Sequence, residues 1–245
     1  MKRSLLKISF ALLIASTVMV SCKKDITTVS STSEVSFALS GDNPVSPISA
    51  TPNSGGIVLA STATTAAAGS IKWTSGIANI TQFKLEAKKN GKQVEIISKN
   101  LSNVDLFALT PTAIATKIDT GTYKEIEVRV ILTKSATADI PITLKGTFTS
   151  AGGATVPVEF DFNDDAIFKA EATNVTVTAN TSVIAKLNLH MNLVLSNVAA
   201  AELDKATRTN GTIVISSSSN QALYLKALIT IVKAVESKGF EIRKK

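Results

Sequence analysis

From Ile77 onward, apolar and polar residues alternate in short runs, and the alternation predicts strands. Ile77, Phe83, Leu85 and Ala87 fall on one side of a period-2 repeat, with Gln82, Lys84, Glu86 and Lys88 on the other. Asn90-Gly91 follows, a dipeptide that tolerates the two positive φ angles of a type I′ turn. A two-residue turn there sets Ala87 against Val94 and Leu85 against Ile96, so both apolar faces coincide. Ile126, Val128, Val130 and Leu132 alternate with Glu125, Glu127 and Arg129; Ile142, Leu144 and Phe148 with Thr143, Lys145 and Thr147. In the next run Val156, Val158, Phe160 and Phe162 alternate with Pro157, Glu159 and Asp161. The intervening Ala151–Ala154 must turn through an odd number of residues. Three residues centred on Gly152 oppose Phe148 to Val156 and Leu144 to Phe160, whereas a two-residue turn opposes Phe148 to Pro157. Pro157 predicts an edge position for its strand. The longest alternation, Val183 to Leu195, predicts one 13-residue strand.

Elsewhere the pattern changes. Asp42–Gly56 holds three prolines and two glycines and predicts irregular structure; Ser61–Ser70 is of low complexity. Asn197 is positioned to cap a short Ala-rich helix over Val198–Ala206, and Gly211–Ser216 reads as a further strand. A second helix is expected from Ser219 or Asn220 to about Lys238. Its apolar stripe is Leu225, Leu228, Ile229, Val232 and Val235, and Gly239 follows its C-terminus. Eight to ten strands plus one amphipathic helix predict a mainly β fold: an antiparallel two-sheet β-sandwich, with a C-terminal amphipathic helix and a short Ala-rich helix, the former covering an edge or open face.

The N-terminus carries another kind of pattern. Lys2, Arg3 and Lys7 precede an apolar segment from Ile8 to Val20, which is signal-peptide length and short for a bilayer span. The segment ends at Ser21-Cys22, and Cys22 is the chain's one cysteine. Met19-Val20-Ser21-Cys22 resembles the lipobox of bacterial lipoproteins, with Met19 in place of the usual Leu. That resemblance implies cleavage before Cys22, diacylglycerylation of its thiol and acylation of its amine. Two or three acyl chains anchor stably at about 0.8 kcal/mol per buried CH₂. The competing readings are ordinary secretion with a free thiol and an uncleaved helical anchor. The expected organisation is a signal peptide over residues 1–21, a polar tether over 22–33 with a reach of about 18 Å, and a single sandwich domain over 34–245. No later apolar stretch reaches 18 residues, so no spanning helix is expected.

Charge narrows the partners. Lys2, Arg3 and Lys7 lie in the signal, so the formal +7 becomes +4 without it, and Arg243, Lys244 and Lys245 supply three of those four. The body is close to neutral, which argues against nucleic acid. Aromatic residues are 5% of the chain, in keeping with Thr-rich strands.

Three stretches, Trp73–Ile96, Val104–Leu109 with Asp119–Val130, and Asn210–Tyr224, resemble Bacteroidetes-type surface lipoproteins with a β-sandwich domain of unknown function. The Gly121-x-Tyr123-x-x-Ile126 element also looks like the strand start of transthyretin-like and immunoglobulin-like domains. There Gly121 permits the turn and the Tyr123 hydroxyl ties the corner. The resemblance implies a surface-exposed sandwich and transfers no active residues.

Candidate chemistry is sparse. His190, the only histidine, falls on a polar strand phase beside Lys186, Asn188 and Asn192, and reads as a surface or packing residue rather than a base. Asp161, Asn163 and Asp165 alternate like the start of an EF-hand loop. The match then fails, with Ala166 at the Gly position and Ala172 at the bidentate Glu position. A loop-type calcium site on Asp161, Asn163, Asp164 and Asp165 stays open beside the plainer reading of a polar turn. Trp73 is a candidate sugar-stacking platform or a core anchor. Glu125 and Glu127 read as solvated charge, and no nucleophile, metal, Walker or dinucleotide motif is present. We therefore expect a non-enzymatic, cofactor-free protein of the cell envelope, an outer-membrane lipoprotein facing the surface or the periplasm, that binds the bilayer through Cys22 and a glycan or protein through its sandwich. The alternatives are an assembly subunit or spacer without a small ligand, and a hydrolase whose acids the sequence does not reveal.

Overall fold

The computed structural model describes residues 32–50, 67–108, 113–179 and 181–244, so the segment read as a signal peptide, Cys22 and most of the expected tether lie outside the described residues. Thirteen strands form two sheets. The spine is β3 (Ala67–Lys89), 23 residues long. It follows β1 (Thr32–Asp42) and β2 (Val45–Ser49). β1 opens at Thr32, so the last two residues read as tether already belong to a strand, with Ser33 buried against Thr181.

The Asn90-Gly91 turn folds as its sequence predicts, with φ of 49° and 75°. β4 (Lys92–Asp105) returns along β3 with Leu85 opposite Ile96 and Ala87 opposite Val94. β5 (Ala113–Asp119) leads through Gly121 into β6 (Gly121–Leu132), and the Tyr123 hydroxyl donates to the Asp119 carbonyl at 2.7 Å, tying the corner. β7 (Ile142–Ser150) and β8 (Thr155–Phe162) join through the odd-length turn, with Phe148 opposite Val156 and Leu144 opposite Phe160. β9 (Ala166–Val177) follows directly.

The registers show how β3 organises its sheet. Residues 82–88 pair with β6 and residues 69–78 with β7, on the same side and in the same direction. β6 and β7 are thus two stretches of one path, interrupted by residues 133–141. β9 and β8 continue that path's neighbour, interrupted only by residues 163–165. On the other side of β3 lie β4 and β2. Beyond β8, β12 (Thr212–Ile215) adds in parallel and β11 (Arg208–Thr209) pairs with β12. Pro157 is therefore not on an edge strand. It sits one residue before the Val158–Phe160 stretch that β12 pairs, where a missing N–H breaks no ladder. Asp42–Gly56 is likewise not wholly irregular: β2 forms within it, and Pro47 is tolerated because β2 has a partner on one side only among the described residues.

The second sheet runs β13–β10–β1–β5. β10 (Thr181–His190) pairs with β1 in parallel, so the sandwich is mixed rather than purely antiparallel. The predicted 13-residue strand ends at His190, where β1 ends opposite it; Met191–Leu193 then form a 3-10 turn. The inner faces interlock, with Phe37 and Phe83 ring centroids 5.2 Å apart. Val35, Phe37 and Leu39 of β1 and Val183, Ala185 and Leu187 of β10 belong to one core with Leu85, Val128 and Phe168 of the larger sheet.

Helices cover the remainder. α1 (Ala200–Asp204) touches β3 and β7, and its first turn is closed by the Glu202 carboxylate accepting from Ala199 N–H, not by Asn197. α2 (Gln221–Ala234) starts at Asn220, as expected, and packs on β12 and β9. Its buried face differs from the predicted stripe: Leu223, Tyr224, Ala227, Thr230, Ile231 and Ala234 face inward, while Leu225, Ile229 and Val232 are about half exposed. The helix stops at Ala234, four residues early, because Val235–Lys244 form β13 on the open edge of β10. Among the described residues no helix is long and apolar enough to cross a membrane.

Candidate functional site

Trp73, the sugar-platform candidate, lies at the bulge of β3 and is 2% exposed. Its indole N–H donates to the Met191 carbonyl at 3.2 Å, a carbonyl that also accepts from Ser46 Oγ at 3.1 Å. The ring pins β3 to the 3-10 turn and offers no face to a ligand. Trp73 is a core anchor.

The Asp161–Asp165 segment spans the end of β8 and the break before β9, and Asn163, Asp164 and Asp165 each accept a backbone N–H. Asn163 accepts from Ser135 N–H at 2.8 Å and donates back to the Ser135 carbonyl at 2.9 Å; Asp165 accepts from Lys134 N–H at 2.8 Å; Asp164 accepts from Asp165 N–H at 2.9 Å. These bonds staple the 133–141 excursion to the neighbouring strand path. Across the excursion, Asn79 donates to the Ile140 carbonyl at 2.7 Å and accepts from Asn103 N–H at 2.9 Å. The polar-turn reading of the segment holds, with a partner the sequence did not name. No three His, Cys, Asp or Glu side chains are grouped to hold a metal ion among the described residues.

Asp161 stands apart from its neighbours. It faces outward between Thr143 and Lys145, but one carboxylate oxygen is buried without a partner. Burial, and after it the charge of Glu159, push its carboxyl above the ordinary range. A group raised in the folded state adds stability below its unfolded pKa and loses it as pH rises through the folded one. Asp161→Asn is therefore expected to raise the urea midpoint at pH 7, by about 1 kcal/mol of unfolding free energy. The difference should vanish near pH 3. A variant equally shifted at both pH values would assign the effect to packing instead.

His190 Nδ1 lies 2.6 Å from the Asp42 carboxylate, which accepts the bond, on the outer face of β10 beside β1. Asn188 donates to the other Asp42 oxygen at 3.2 Å and accepts from Ser40 Oγ at 3.0 Å. This chain of polar groups ties two parallel strands together.

The outer face of the larger sheet carries an arrangement that sequence reasoning missed. Glu95, Glu86, Glu127 and Glu171 stand side by side in one row across β4, β3, β6 and β9. In the adjacent row stand Ile97, Lys84, Arg129 and Lys169. Like charges directly opposite repel, and the basic row offsets this. Lys84 lies 2.6 Å from Glu86 and 3.4 Å from Glu95, Arg129 pairs with Glu127 and lies 3.4 Å from Glu86, and Lys169 is 3.8 Å from Glu127. Glu127 is only 8% exposed rather than solvated. Burial pushes its carboxyl up, but the hydrogen bonds from Arg129 and Glu171 outweigh that and hold it below the ordinary carboxylate range. Glu171 is pushed up, first by the bond it shares with Glu127. The row is legible only once the registers are known.

Two depressions flank these rows. One, of about 160 Å³, lies among Glu86, Lys88, Gln93, Glu125 and Glu127, and is smaller than a drug-sized ligand needs. The other, of about 330 Å³, lies beside the 133–141 excursion between Asn79, Asn100, Ser102, Lys134 and Asp139, with no aromatic wall.

The remaining feature is an edge. Among the described residues, β4, 14 residues long, pairs with β3 alone. Every second residue of such a strand turns its N–H and C=O away from its one neighbour. Ile97, at its middle, is 51% exposed. Comparison with protein-family models, with curated proteins and with solved structures finds no match for this chain.

Proposed function

We propose that the chain is a lipid-anchored protein of the cell envelope, held to the outer membrane through acylated Cys22, and that its β-sandwich is a non-enzymatic module that binds a protein by accepting that partner's strand on β4. The observation that carries the binding half is the 14-residue edge with a half-exposed Ile97 at its centre. Strand addition draws affinity from main-chain hydrogen bonds and specificity from alternate side chains. A glycan site has lost its candidate platform, since Trp73 is buried. The anchoring half rests on the Met19–Cys22 motif and the preceding apolar segment.

The test uses the full chain in a bacterium that acylates lipoproteins. Wild type is expected to fractionate with membranes and to carry a lipid mass that Cys22→Ser lacks. A photo-reactive amino acid at position 97 is expected to capture a partner in intact cells, and one at position 145, exposed on the interior strand β7, is not. Membrane partition and mass indifferent to Cys22→Ser would overturn the anchor; capture at 97 no stronger than at 145 would overturn the edge.

A further inference from the structure

We infer that the strand β4 accepts is β4 of a second copy of this chain, running antiparallel about a two-fold axis through Ile97; this rests on the reading of β4 as a docking edge.

Opposed residues of an antiparallel pair share a face, so a two-fold axis can pass only through a residue position of β4. Among axes through the residues that share the face of Glu95 near the middle of the strand, charge separates three registers. An axis through Glu95 sets glutamate against glutamate, and one through Lys99 sets lysine against lysine, both repulsive. An axis through Ile97 instead opposes Glu95 to Lys99 of the other copy, twice by symmetry, and Ile97 to Ile97. Glu95 ends the four-glutamate row on β4, and Lys84, 3.4 Å from it, is shared with Glu86 at 2.6 Å. Lys99 stands at the register position opposite Gln82, two residues from Ile97 on the strand. In this register the acidic row therefore ends against a positive charge of the partner. The exposed isoleucine, which otherwise extends a row of cations into water, is covered by its own symmetry mate. On the other face, Val94 and Ile96, partly buried against the core, would gain cover from the added strand. The result is one continuous sheet across two copies.

Cross-linking and charge exchange test the register. In the full chain with Cys22→Ser, Ile97→Cys is the only thiol, and Cα atoms opposite each other in an antiparallel pair lie about 4.5–5.5 Å apart, within disulfide reach. Mild oxidation is expected to give a covalent dimer. Gln93→Cys places the two thiols about 26 Å apart and is expected to stay monomeric. By sedimentation, Glu95→Lys is expected to weaken the dimer about tenfold, and Lys99→Glu likewise. The Glu95→Lys/Lys99→Glu double variant is expected to regain wild-type association. These positions are at an edge, so folding is checked independently by circular dichroism. A monomer at all concentrations that still captures a different protein through position 97 would sink the second-copy inference alone. A monomer that captures nothing there would sink both readings. A dimer indifferent to the charge exchange, or cross-linked equally at 93, would overturn the register.

Discussion

A Gly146→Ala variant is expected to lose about 3 kcal/mol of stability, from the addition of one methyl group. Gly146 lies in β7 with Trp73 of β3 on one side and Val158 of β8 on the other. A Cβ built there collides with the Lys72 carbonyl oxygen and meets Trp73 Cα at 2.9 Å and the Lys72 carbonyl carbon at 3.0 Å. All three are main-chain atoms, so no rotamer change relieves the contact, and either β3 or β7 must shift. The ladder between β3 and β7 slips its register immediately beyond this pair, between Trp73 and Ser75. Glycine is therefore required by the close approach of a bulged backbone. The measurement is a urea midpoint with an unchanged slope. A change below about 0.5 kcal/mol, the range of inert surface substitutions, would show that the two strands are further apart than described.

The second large effect is expected at Trp73. Truncation to alanine should cost about 3–5 kcal/mol, as for other fully buried aromatic residues. Trp73→Phe should cost distinctly less, because the Met191 carbonyl keeps its bond from Ser46 when the indole N–H is lost. Circular dichroism follows both variants. In wild type the single tryptophan is itself the reporter, with blue-shifted emission that moves to the red on unfolding. A Trp73→Ala protein as stable as wild type, with altered binding of any oligosaccharide, would restore the platform reading and remove the core anchor.

What the sequence disclosed was local. The Asn90-Gly91 hairpin and the odd turn at Gly152 were readable because turn chemistry and face alternation had to agree, and only one register satisfied both. The Tyr123 corner was expected from the resemblance of Gly121-x-Tyr123-x-x-Ile126 to the strand start of transthyretin-like and immunoglobulin-like domains, and the hydroxyl makes the bond. The face of α2 was misread because apolarity is a poor guide when a polar group has a buried partner. Thr230 goes inward since its hydroxyl donates to the carbonyls of Ala227 and Val194, at 3.0 and 2.5 Å, while Leu225 and Ile229 stay outside. β10 was drawn five residues past its end because alternation continues through Met191, Leu193 and Leu195 after the neighbouring strand has ended. At the candidate sites, the DFNDD segment announced a polar turn but not its clamp on residues 134 and 135. The glutamate row and the border of β4 that has no partner among the described residues depend on which strands lie side by side, a property of topology that no window of sequence contains.

The parallel pairing of β1 with β10 has a kinetic side. Partners such as Ser40 and Asn188 are 148 residues apart, and the outer strand β13 comes from the last residues of the chain. β1 can pair with β5 once residue 119 is available, but its parallel partner β10 begins only at Thr181, and contacts of such separation slow folding because a long loop must be closed before they form. A nascent chain carrying β1 alone has nothing for that strand to join. The sheet therefore assembles in stages: β5 can join β1 first, β10 only once residues 181–190 are available, and β13 last, on β10.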